Sequence, residues 1–416
     1  MDQIQKVVVD PDSGLISVRP QLSNQEVRDL ALSCFGLQID PTSKLKELNS
    51  YDDRNYIVGG KLNPRGNAFD DSYGKHRKFT LKIFNTCFAS KYEWYENINR
   101  IVCACYDECS PHFKLPYPVR GVDNTSMMVK CEVPLKLDAE VVGTMGTLAD
   151  IAGTHGMIVE KDGVFYAKHM VRLCVFIPGK LLETKNMKDE EAYDYGVAAA
   201  VLDVSIHKES PPDVDVQETF IWNSANILKY GFREKYVKSL KDRDRKQLVE
   251  GILEKFSSEI PQLLTTPKQW VHGDLNDQNI LFADNNTQKT EMNKLVGIID
   301  FDDLLYTHRV INLSNALMYT TNIISAPPML DKSLSLAQHL YRGYTTRIVL
   351  SDTEVDCVYS LMLVRYALSC CIATYQYEYV DPGNEYLLIS AKIGWQSMKE
   401  LVGLGKEKFM ENLLES

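Results

Sequence analysis

Apolar residues recur at helical spacing from Leu22 to Phe35, behind the polar pair Ser23-Asn24, and this pattern predicts a helix. Two short runs, Lys44 to Leu48 and Asn55 to Val58, predict a strand pair joined by the polar turn Ser50 to Arg54. After a Gly/Asp/Lys-rich excursion, Lys61 to Arg77, the alternating stretch Lys78 to Phe84 predicts another strand. A helix from about Ser90 to Cys109 follows, stopped by Ser110-Pro111. Gly156 to Glu160 and Val164 to Lys168 flank the turn Lys161-Asp162-Gly163, and Met170 to Ile177 predicts a further apolar strand ending in Pro178-Gly179.

Beyond that point the period becomes helical, over Glu190 to His207, Phe232 to Leu240 and Arg245 to Glu259. Trp270-Val271 and Lys294 to Asp300 read as short strands among the helices, and Leu336 to Ile348, Val355 to Tyr375 and Tyr386 to Leu401 as helices. The expected class is α+β: an N-terminal extension over 1–20, a small, mainly β lobe over 21–177 and a large, mainly α lobe over 178–416.

Composition narrows the function. The 416 residues are 44% hydrophobic and 25% charged, the balance of a soluble globular chain. A net charge of −10 argues against a grip on a phosphate backbone, so no nucleic-acid partner is expected. Met1 to Gly14 holds no apolar run behind a basic start. The most apolar stretch, Val358 to Tyr375, is interrupted by Arg365 and reads as a core helix, not a membrane span. No membrane partner and a cytoplasmic location are the expectations. Ten cysteines in this length are too sparse for a disulfide framework and read as reduced thiols.

The chemistry concentrates in Trp270-Val271-His272-Gly273-Asp274-Leu275-Asn276-Asp277-Gln278-Asn279. Asp274 and Asn279 are five apart, a spacing that lets one loop place a carboxylate at a substrate hydroxyl and an amide oxygen on a metal ion. This is the catalytic-loop pattern of kinases, with His-Gly-Asp in place of His-Arg-Asp. Asp300, 21 positions beyond Asn279, ends the apolar run Gly297-Ile298-Ile299, where a carboxylate can bind Mg²⁺ that bridges nucleotide phosphates. Either segment alone is also an ordinary turn or strand end, but in this order and spacing they predict phosphoryl transfer. Asp277 reads as a solvated loop residue and His272 as a structural hydrogen-bonding group. Gly143 to Gly146 and Gly153 to Gly156 lack a phosphate-loop pattern. Cys103, Cys105, Cys109 and His112 cannot converge on one metal from a helix.

The segments His272 to Asn279 and Ile299 to Asp303 resemble the aminoglycoside phosphotransferase group of small-molecule kinases. So do Ser50 to Tyr56, Val171-Arg172-Leu173, Phe220 to Asn223 and Ala391 to Trp395, and the likeness spans about residues 23 to 406. The resemblance implies a protein-kinase-like two-lobed fold, Asp274 as catalytic base, and Asn279 and Asp300 as Mg²⁺ ligands. It makes Lys82 the lysine that holds the nucleotide phosphates and Glu96 its ion-pair partner, with Glu93 one turn away as the alternative. The loop Ser50 to Asn55 stands where relatives have a glycine-rich loop yet holds no glycine, so Arg54 or Asn55 is expected to help neutralise phosphate. Asp302, where many relatives have glycine, reads as a further metal or amine ligand or as a plain exposed carboxylate.

Within that group the likeness implies a small cationic amino acid as acceptor, 5-hydroxy-L-lysine, and GTP or ATP as donor. Kinases of choline, ethanolamine or homoserine would share these motifs. A nucleotide-binding scaffold without activity is disfavoured, because Lys82, Asp274, Asn279 and Asp300 are all present.

Overall fold

Ser23 caps the first helix: its hydroxyl accepts from the Glu26 amide while the Glu26 carboxylate takes the Ser23 amide. Gly36, in the left-handed region at φ 62°, ends it. The computed structural model describes residues 7–9, 16–50, 53–63, 78–135, 157–212, 220–229, 231–283, 295–324 and 328–415. Gly143 to Gly146, Gly153 to Gly156 and nearly all of the excursion after Leu62 lie outside the described residues. Two compact units result: Met1–Cys103 with Pro116–Phe176, and Ala104–Leu115 with Ile177–Ser416. Residues 104–115 thus join the second unit.

The elements of the first part of the chain are β1 (Val7–Val9), β2 (Ile16–Val18), α1 (Asn24–Phe35), β3 (Leu37–Ile39), β4 (Lys46–Leu48), β5 (Arg54–Leu62), β6 (Lys78–Ile83), α2 (Tyr92–Cys109), β7 (Met128–Pro134), β8 (Ile158–Lys161) and β9 (Val164–Val175). An antiparallel sheet runs β3-β5-β6-β9-β7, with β4 added on β5 and β8 on β9. Its core face carries Tyr56, Val58, Phe79, Leu81, Ile83, Val171 and Leu173, which pack on Val27, Ala31 and Phe35 of α1. Because side chains alternate, the other face receives Asn55, Lys82 and Arg172, which are in register across three adjacent strands.

Two strand readings change. The runs ending at Lys168 and beginning at Met170 form one strand, β9. The polar break between them, His169, is fully buried and its Nδ1 lies 2.8 Å from the Phe84 carbonyl oxygen. Strand β7 was not expected, since its position at the sheet edge leaves most of its side chains partly or fully exposed and weakens the hydrophobic signal.

The second unit contains β10 (Lys180–Leu181), α3 (Asp189–Ile206), α4 (Arg243–Leu263), β11 (Lys268–Val271), β12 (Ile280–Phe282), β13 (Leu295–Ile298), β14 (Leu305–His308), α5 (Val310–Thr321), α6 (Pro328–Thr345), α7 (Asp352–Tyr375), α8 (Ala391–Leu404) and α9 (Lys406–Leu414). The helix expected over Phe232 to Leu240 shrinks to a single π turn, Arg233–Val237. Helices α3 and α6 meet backbone to backbone: a Cβ at Gly196 would lie 2.0 Å from the Leu340 carbonyl oxygen, and one at Gly343 2.1 Å from that of Tyr193. Helix α7 is a core helix, buried from Cys357 to Ala373, Arg365 included.

Candidate active site

In the first unit the chemistry gathers on the polar face of the sheet. Lys82 Nζ lies 3.1 Å from Asp53 Oδ2, and the other carboxylate oxygen of Asp53 accepts from the Asn85 amide at 2.8 Å. The Asp53 carbonyl is held by Ser50 Oγ and Arg19 Nε, which fixes the turn before β5. The lysine expected to hold phosphate is therefore ion-paired, but with Asp53. Glu96 is buried and accepts the Met127 amide on both oxygens, at 2.9 and 3.1 Å, and the Met128 amide at 2.8 Å. It caps the backbone entering β7, which corrects its assignment as the partner of Lys82; Glu93 is exposed.

Arg54 is likewise committed, through a two-pronged pairing with Glu47 at 2.8 and 2.7 Å. Asn55 differs: it stands opposite Lys82 in the sheet, and among the described residues nothing donates to its buried Oδ1.

In the second unit the loop between β11 and β12 is built around Gly273. Its φ of +82° lies in the left-handed region, and a Cβ there would sit 2.2 Å from the Asp303 carbonyl oxygen and 2.3 Å from Leu305 Cδ2. Both of its peptide groups are held by buried amides of α5: Asn312 Oδ1 accepts from Gly273 N at 3.2 Å, and Asn315 Nδ2 donates to Gly273 O at 2.8 Å. Asn312 is oriented in turn by buried Asp203, whose other oxygen accepts from the Tyr344 hydroxyl. Burial pushes the Asp203 carboxyl up to about 7.

His272 is fully buried, which lowers its imidazole to about 4 and keeps it neutral. Its Nδ1 accepts from the Asp274 amide at 3.3 Å, so its Nε2 carries the proton and donates to the Ile299 carbonyl at 3.0 Å. One imidazole thus ties the His-Gly-Asp loop to the strand end that carries Asp300.

Asp274 receives three donors. Asn276 Nδ2 and Asn279 Nδ2 reach Oδ2 at 2.7 and 3.0 Å, and Arg365 Nη2 reaches Oδ1 at 2.6 Å. Asn279 also donates to the Asp274 carbonyl at 2.9 Å. With its nitrogen turned to Asp274, Asn279 has Oδ1 as its candidate atom for a cation. Its backbone carbonyl accepts from Ile299 N at 2.9 Å, so Asn279 and Asp300 stand at the same end of the β12–β13 pair.

Asp300 itself is exposed and has φ 62° and ψ 73°, a left-handed conformation uncommon for a residue with a side chain. The oxygen donors Asn279 Oδ1 and the Asp300 carboxylate suit a hard cation that completes its shell with water and phosphate oxygens. Asp302 is half-buried. Asp277 is half-buried, and burial raises its carboxyl. Asp303 is raised by burial and by the neighbouring Asp274 charge.

Asp53 and Arg365 are the residues that sequence reasoning left without a role. Arg365 had a signal, as a lone cation within an apolar helix, where a charge persists only if it is paired. The Arg365 guanidinium carbon lies 5.1 Å from the Trp222 ring centroid.

The model of the phosphotransferase enzyme family matches residues 159–344, which include the Asp274 loop and Asp300. The hydroxylysine kinase of Mus musculus is 26% identical over 407 residues, covering 96% of this chain and 94% of the relative. That of Danio rerio is 24% identical over 402 residues, covering 96% of each. Among solved structures, an amicoumacin kinase in complex with AMP-PNP and Ca²⁺ superposes with a TM-score of 0.56 at 13% identity, covering 91% of this chain and 94% of that one. A microcompartment-associated aminopropanol kinase gives 0.55 at 13% identity, covering 94% and 100%. The chain is a small-molecule phosphotransferase with the protein-kinase-like fold. Along nearly its whole length it is similar to the hydroxylysine kinases.

Proposed function

We propose that this protein transfers the γ-phosphoryl group of GTP, with ATP as the lesser donor, to the hydroxyl of 5-hydroxy-L-lysine, with Mg²⁺, in the cytoplasm. The observation that carries this reading is a likeness to hydroxylysine kinases that extends well beyond the catalytic segment, to 96% of the chain. The acidic balance of the chain suits an acceptor with two ammonium groups.

In this reading Asp274 accepts a hydrogen bond from the acceptor hydroxyl and aims its oxygen at the γ-phosphorus. A carboxylate is a weak base, so its contribution in a loose transition state is orientation first and proton acceptance late. Asn279 and Asp300 would hold Mg²⁺, which when bound supplies charge neutralisation on the phosphate oxygens. Lys82, ion-paired with Asp53, would pair with nucleotide phosphate, and Asn55 stands opposite it in the sheet.

The test is phosphate transfer by purified protein to hydroxylysine, choline, ethanolamine, homoserine and an aminoglycoside, each with Mg-GTP and Mg-ATP. Saturable transfer to hydroxylysine alone, faster with GTP, is expected. Preferred transfer to another alcohol would replace the acceptor, and faster transfer with ATP would replace the donor.

A further inference from the structure

Asp274 shares its carboxylate unequally. A carboxylate oxygen has two lone pairs in plane. Oδ2 uses both, on Asn276 and Asn279, whereas Oδ1 uses one, on Arg365. The oxygen with room for a substrate hydroxyl is therefore the one that Arg365 holds.

Arg365 is itself held through both terminal nitrogens, while its buried Nε has no partner among the described residues. Its side chain is 1% exposed, its Nη1 reaches the Trp222 carbonyl at 3.3 Å, and its Nη2 reaches the Tyr319 hydroxyl at 3.2 Å. The guanidinium carbon lies 5.1 Å from the Trp222 ring centroid and 5.5 Å from that of Tyr319. A planar cation fixed by two rings, two oxygen acceptors and the middle of a buried helix has little freedom to turn. A flexible ammonium could not reproduce that fork.

We propose that Arg365 is a positioning residue for phosphoryl transfer: from the core of α7 it fixes Asp274 so that Oδ1 presents its remaining lone pair to the acceptor hydroxyl. This rests on the reading of Asp274 as the group that receives that hydroxyl. Without Arg365 the carboxylate keeps its two asparagine donors on Oδ2 but is free to swing about them, and the orientation that catalysis needs is sampled rarely.

A double-mutant cycle tests it. Arg365→Met, Arg365→Lys and Asp274→Asn are compared singly and combined, with kcat, acceptor KM, nucleotide affinity and thermal unfolding measured on each. Arg365→Met is expected to lower kcat about 10²-fold while nucleotide affinity changes by less than about twofold, and Arg365→Lys to recover about tenfold of the loss. In the Asp274→Asn background, Arg365→Met should cost less than about threefold, because no carboxylate remains to be positioned. An equal loss in both backgrounds would overturn the proposal, since a purely structural arginine acts independently of residue 274. Wild-type turnover in Asp274→Asn would instead overturn the role of Asp274, a separate failure. If Arg365→Met does not fold, the same cycle with Arg365→Lys decides, with a loss expected only when Asp274 is present.

Discussion

Lys82 Nζ sits 3.1 Å from the Asp53 carboxylate, whereas Glu96 gives both its oxygens to the backbone amides of Met127 and Met128. The two carboxylates therefore fail differently when neutralised. Lys82→Met is expected to lower turnover about 10²-fold and to weaken nucleotide binding, as loss of a phosphate-neutralising charge would. Asp53→Asn should weaken nucleotide binding without a large change in melting temperature. Glu96→Gln should do the reverse, costing about 1.5–3 kcal/mol of stability with nucleotide affinity unchanged. Steady-state kinetics and denaturant unfolding on the three variants check this, and a nucleotide defect confined to Glu96→Gln would restore Glu96 as the functional partner.

Gly273 is the position where a single methyl group does most harm. At φ +82°, with the Asp303 carbonyl oxygen 2.2 Å from the place a Cβ would take, Gly273→Ala must displace either the loop or the segment after Asp300. A loss of about 3 kcal/mol or more and a fall in kcat of at least about tenfold are expected. Unfolding near wild-type stability would show that the loop tolerates another backbone path.

His169 gives the first unit a dependence on pH. Burial lowers its imidazole from 6.5 to about 4, so the unfolded chain binds its proton first as the pH falls. The stability it contributes is complete above about pH 6.5 and is lost as pH falls towards 4, by up to about 3 kcal/mol. His169→Phe should flatten this part of the profile, read as the difference between variant and parent in urea unfolding from pH 7 to 4. Parallel profiles would assign the acid sensitivity elsewhere. His272, lowered to a similar value by burial, acts in the same direction.

The second-unit motif was legible because its residues are close in sequence: Asp274 and Asn279 are joined by a hydrogen bond at 3.0 Å within one loop. The core face of α1 and the alternation in β6 were legible for the same reason, since periodicity is a local signal. What the sequence hid is long-range. Asp53 finds Lys82 across two strands, and Arg365 finds Asp274 from a helix 91 residues later. Helix α5 was missed because it is buried on every side and shows no amphipathic stripe, its asparagines serving the Gly273 peptide groups instead of solvent.

Asn279 donates its amide nitrogen to Asp274, and in the proposed reading its oxygen would take the cation, so Asn279→Ala should have two effects. The Mg²⁺ concentration for half-maximal activity should rise at least about tenfold, and kcat should fall at saturating Mg²⁺ because Asp274 loses a donor. A Mg²⁺ titration checks both. An unchanged midpoint would place the cation on other ligands.

The most direct measurement is transfer of labelled γ-phosphate from Mg-GTP to 5-hydroxy-L-lysine by the wild-type protein and by Asp274→Asn, with nucleotide binding followed in parallel. Saturable transfer by the wild type, lowered by about two to four decades in the variant at equal nucleotide affinity, is the predicted result. Turnover in the variant within about a factor of two of wild type would contradict the central role given to Asp274.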